Sequence, residues 1–98
     1  MSIDSHICTV NEVGPSTNNA GETSQPVVMV NLTTVPPVAF GGFEDVWFYV
    51  ADGTQSDMLA VAIAAITYRM WVHVFVDTPD IQSGTATKCY NMYLRAPV

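Results

Sequence analysis

The stretch "DMLAVAIAAITYRMWVHVFVD" (residues 57–77) changes its period halfway along. From Met58 to Ile66, nine residues pass without a polar side chain. Leu59, Ala62, Ile63 and Ile66 fall at i, i+3, i+4 and i+7, the spacing of one helix face. From Met70 the spacing becomes two. Met70, Val72, Val74 and Val76 share one face, and Trp71, His73, Phe75 and Asp77 share the other, as on a half-buried strand. The pattern predicts a helix over about 55–69 that passes directly into a strand over 70–77. Thr54 is the expected N-cap. Asp57 follows three residues later, where a carboxylate reaches back to the cap's N–H and favours the positive end of the helix dipole. Arg69 is expected in the last turn.

The helix carries two apolar stripes rather than one. Leu59, Ile63 and Ile66 are expected to face the chain's own core. The opposite stripe, Ala60, Val61, Ala64 and Tyr68, holds small apolar side chains where a solvated face would hold Lys, Glu or Gln. These four are the expected oligomer interface, because small side chains let two backbones approach closely. Apolar residues also dominate 58–76, but Arg69 and His73 interrupt the run. The uninterrupted block is shorter than the ~20 residues a membrane helix needs, so no span is expected.

Working outward, "SHICTVNEV" (5–13), "VVMVNLTT" (27–34), "FEDVWFYVA" (43–51) and "CYNMYLRA" (89–96) read as further strands, rich in β-branched and aromatic residues. The third sets Val46, Phe48 and Val50 against Trp47, Tyr49 and Ala51. The last sets Tyr90, Met92 and Leu94 against Cys89, Asn91, Tyr93 and Arg95. Residues 14–26, full of turn formers, are expected to be a mobile loop. The chain is one domain, 1–98, of class α+β with element order β-β-β-α-β-β. That order suits a small antiparallel barrel or strongly curved, OB-like sheet with one helix. The alternative is an open antiparallel sheet with the helix packed on one face.

Composition narrows the partners. Charged residues are only 12% of the chain, against about 25% in an average soluble protein. The net charge is −6 and the only basic residues are Arg69, Lys88 and Arg95. Phosphate neutralisation needs clustered Lys and Arg, so nucleic acid is not an expected partner. A charge-poor surface loses less on burial in an interface. No basic segment followed by an apolar one opens the sequence, which reads as cytoplasmic; removal of a signal would make it exported. Cys8 and Cys89 read as reduced thiols in the first case and as a disulfide between first and last strands in the second.

No residue pattern marks a catalytic centre, a metal or a cofactor, and none of these is expected. Asp77 and Asp80 lack the oxygen count and spacing of a calcium loop. Glu44 and Asp45 would point to opposite faces of a regular strand, so they are no acid–base pair. Ser56 and Ser83 have no nucleophile-elbow context. Neither Cys8 nor Cys89 is marked as activated by His6 or His73. Asn31-Leu32-Thr33 is a glycosylation sequon inside a predicted strand. The aromatic second faces say more. Trp47, Tyr49, Trp71, His73 and Tyr93 are the expected ligand-binding residues, offering rings for stacking beside Phe75 and Asn91.

With the strand order, the apolar helix, "VHVFVD" (72–77) and "CYNMYL" (89–94) in place, residues 43–95 resemble small bacterial OB-type proteins similar to the B subunits of AB5 toxins. That resemblance implies ring-shaped pentamers with helices lining the centre and glycans bound through the barrel. It transfers no binding residue. The expectation is a homo-oligomeric binding module, dimer or pentamer, for a glycan, a small uncharged molecule or a protein. A small enzyme with its site between subunits and a structural or regulatory partner protein are the alternatives.

Overall fold

The computed structural model describes residues 3–16, 27–35, 42–50, 55–78 and 86–97. Five strands and one helix follow in the expected order: β1 (Ile3–Ser16), β2 (Val27–Thr34), β3 (Val46–Val50), α1 (Gln55–Tyr68), β4 (Trp71–Asp77) and β5 (Thr87–Arg95). The sheet closes on itself in the order β1-β2-β3-β5-β4, which rules out the open sheet. Four of the junctions are antiparallel, and β3 with β5 is parallel, so the ring is mixed rather than purely antiparallel. Register shifts in β1–β2 and β4–β5 keep it from being a regular barrel.

Strand β1 closes the ring by pairing twice. Ile3–Cys8 run against β4, and Cys8–Ser16 run against β2. It is longer than the sequence pattern indicates: Gly14, Pro15 and Ser16, expected in the loop, lie in the strand. Beyond Cys8, β1 has left β4, and among the described residues only its β2 side is paired, so the N–H that Pro15 lacks is not needed on the other edge. Residues 17–26 lie outside the described residues.

Alternation fills the interior. Val28, Val30, Leu32, Phe48, Val50, Val72, Val74 and Val76 are buried, with Cys8, Cys89 and Met92 among them. The last strand departs from strict alternation. Phe75 faces Asn91 while Val76 faces Cys89, so Tyr90 is the extra residue of a bulge. The bulge turns both Cys89 and Met92 inward, although an uninterrupted strand would put them on opposite faces. The third strand starts at Val46 rather than at 43. Glu44 and Asp45 form a bend in which Asp45 has φ 60°, a left-handed conformation that Asp tolerates better than most residues. Phe43 is nevertheless buried. Its backbone is tied to Thr34, and its ring meets His6 and Phe48 at 5.2 and 5.3 Å.

The helix packs mainly on β1 and β5, through only part of the expected stripe. Met58, Ala62 and Ala65 are buried, with Leu59 and Val61 against the core. Ile63 and Ile66, expected inside, are 49% and 41% exposed. Arg69 is not in the last turn but just beyond it, at φ 55°. The Met70 N–H then bonds the Ala65 carbonyl at 2.9 Å, which closes a Schellman cap with Arg in the position that glycine usually holds. The expected N-cap, Thr54, lies outside the described residues. No helix among the described residues is long and apolar enough to cross a membrane.

Candidate functional site

Because the inward positions are filled by the core, side chains that can meet a partner stand on the outside of the ring. All five expected ligand-binding residues occupy outward positions. Trp47 and Tyr49 lie on β3, Trp71 and His73 on β4, and Tyr93 on β5. The ring closure brings some of them together and separates others.

His73 and Tyr93 meet. They face each other in the β4–β5 register with ring centroids 6.4 Å apart. Phe75 joins them, at 4.9 Å from His73 and edge-on to Tyr93 at 6.2 Å. On the other side, Ser5 of β1 lies 2.7 Å from His73 Nε2 through its Oγ. Trp71 is half-buried opposite Arg95, one turn of the pleat away. Tyr49, by contrast, is in register with Lys88, five residues before Tyr93 along β5. At about 3.3 Å per residue that is a separation near 17 Å. Tyr49 belongs to a second group with Lys88, Tyr90 and Asp77. The Tyr90 hydroxyl donates to the Asp77 carboxylate, 3.1 Å from both oxygens, and Lys88 Nζ stands 5.0 Å from the centre of the Tyr90 ring. Desolvation and the facing Asp77 carboxylate raise the Tyr90 hydroxyl above its usual range. Trp47 is in a third place, opposite Asn31 of β2.

The Ser5–His73 separation is that of a nucleophile and its base. Both side chains project from regular paired strands, and among the described residues no further hydrogen bond orients the ring from Nδ1. The contact holds the imidazole beside Phe75 and Tyr93. The aromatic group so held offers ring faces and edges with a hydroxyl and an imidazole at the rim, the chemistry of an uncharged-ligand surface.

The interior holds the remaining reactive groups. Cys8 and Cys89 are free, fully buried thiols. Burial pushes each up to about 12, so neither is a nucleophile near neutral pH. Asp77 is engaged by Tyr90, and Asp80 lies outside the described residues. Among the described residues no cluster of His, Cys, Asp and Glu could hold a metal ion. Asn31 of the sequon is fully buried on a paired strand.

Ser5, Asn11 and Tyr90 are the outer-face polar groups that composition and motif do not single out. Their signal is positional: each needs the ring closure or the bulge before its neighbours are known. Comparison with protein families, with curated proteins and with solved structures returned no match to the chain.

Proposed function

We propose that the chain is a homo-oligomeric binding module. It associates through the outward face of α1 and meets a glycan, another small uncharged molecule or a protein on the outer face of its sheet. The observation that carries this reading is the apolar helix face turned away from the ring. Ile63 and the exposed Ala60 lie there beside Thr67, with Ile66 at one edge of the face and Tyr68, which is 72% exposed, at the other. The contact centres on Ile63 and Ala60, and Tyr68, five residues beyond Ile63, stands about 140° round the helix from it. Val61 packs against the subunit's own core and Ala64 is half-buried, so they contribute less than their spacing implies.

Two copies covering this face would remove on the order of several hundred Å² from water. At about 25 cal/mol per Å² that is several kcal/mol of gross stabilisation before the costs of association. The helix position between β3 and β4 is compatible with the ring assemblies implied by the resemblance to AB5 B subunits. Light scattering at micromolar concentration is expected to give a multiple of 10.6 kDa, whose value distinguishes dimer from pentamer. A monomer mass would overturn the proposal. Ile63→Glu is expected to disperse the assembly while far-UV circular dichroism stays unchanged.

A further inference from the structure

Strand β2 turns Val30 and Leu32 inward, so Asn31 points outward between them. An outward side chain on a small ring should meet water, yet Asn31 is 0% exposed. Its Oδ1 accepts a hydrogen bond from Asn11 Nδ2 at 2.8 Å. The same Nδ2 donates to Thr33 Oγ1 at 2.8 Å, and Thr33 Oγ1 accepts the Asp45 N–H at 3.0 Å. Asn31 turns its Oδ1 towards Asn11 in this network and its Nδ2 away from it. Asn31 Nδ2 is thereby a buried donor without a hydrogen-bond partner among the described residues. Such a group is destabilising, and folded chains keep few of them.

Trp47 is the register partner of Asn31 on β3 and stands on the same side of the sheet, 40% exposed. Directly opposed residues hold their Cβ atoms about 5 Å apart, so the indole and the unpaired donor lie side by side. We propose that the outer face at Trp47 and Asn31 binds an uncharged ring bearing an oxygen acceptor. The ring packs on the Trp47 indole, and its oxygen accepts a hydrogen bond from Asn31 Nδ2. The donor rejects a cation, and the net charge of −6 disfavours an anion. Nearby Lys88 is engaged over Tyr90. Since Nδ2 is covered in the free chain, entry of the oxygen displaces the edge of the partly exposed indole. A hydroxylated saturated ring and a planar ring with a carbonyl both have this chemistry, and the two are separable by experiment. The site is distinct from the His73–Phe75–Tyr93 face and does not depend on self-association.

The test is a side-chain nitrogen–proton correlation spectrum of the full chain, titrated separately with methyl β-glucopyranoside and with uridine. One probe or both are expected to shift the Trp47 indole N–H and the Asn31 side-chain amide along one saturating curve. Trp47→Ala and Asn31→Val should each weaken that binding by about tenfold or more. Asn31→Val should also melt no lower than the parent, since it removes the unpaired donor. Trp47→Ala alters an exposed side chain and keeps the test decisive if the Asn31 variant does not fold. Absence of saturable shifts with both probes would overturn the proposal, as would saturable shifts that survive in Trp47→Ala. Saturable shifts confined to His73 and Tyr93 would support the β4–β5 face and overturn this site.

Discussion

Cys8 and Cys89 illustrate how a residue's setting decides its chemistry. A thiol at the surface titrates near 9, but in this ring both are displaced to about 12, by burial first. The folded chain therefore holds its thiol protons more tightly than the unfolded chain does. Stability from this source is fully present below pH 9 and is lost as the pH rises towards 12. For one thiol the loss across that window is on the order of 4 kcal/mol. Denaturant melts taken at rising pH should show a falling midpoint, and Cys8→Ala should flatten the fall. In the same vein, iodoacetamide near neutral pH should leave the native chain unmodified and label both thiols in guanidinium. Rapid native labelling would contradict the burial.

At the scale of elements, the strands were readable and the helix orientation was not. Alternation in "WVHVFVD" marks β4 face by face, because one side is core and the other is not. β5 hid its bulge, since nothing in "KCYNMYL" says that Tyr90 is unpaired; only its register with β4 does. Gly14 and Pro15 resemble a turn in sequence, and they stay in β1 because that part of the strand, among the described residues, is paired on its β2 side only. The helix is apolar nearly all round, so a wheel cannot choose its buried side. Size chooses it: Ala62 and Ala65 let the helix lie close on β1 and β5, whereas Ile63 and Ile66 would hold it off. Two substitutions on the helix should therefore respond differently. Ala62→Leu should cost about 1–3 kcal/mol by overpacking a fully buried site. Ile63→Ala should change monomer stability by no more than about 0.5 kcal/mol. Chemical denaturation at concentrations low enough to exclude association checks both. The binding residues were legible as outward-facing positions but not as groups, because grouping Tyr93 with His73 and Trp47 with Asn31 requires the order in which strands meet around the ring.

For the whole molecule, closure rests on one strand. β1 reaches β4 through residues 3–8 and β2 through residues 8–16, so among the described residues its first half is the seam that joins the two ends of the sheet. Without that half, β4 becomes an edge strand whose inward side carries Val72, Val74 and Val76. An exposed apolar edge pairs readily with other chains. The lost segment also takes with it His6, whose ring packs edge-on against Phe43, and the Ser5 contact to His73. Deleting residues 1–7 is therefore expected to do more than remove a few contacts. The shortened chain should lose cooperative unfolding, bind a hydrophobic dye and aggregate, with aggregation rising with concentration. Ile3→Ala, which trims an exposed side chain and leaves the ladder intact, should unfold in a single transition close to that of the parent. A cooperative, dye-negative truncated chain would show that β2, β3, β5 and β4 stand as an open sheet and that ring closure is not what holds the fold together.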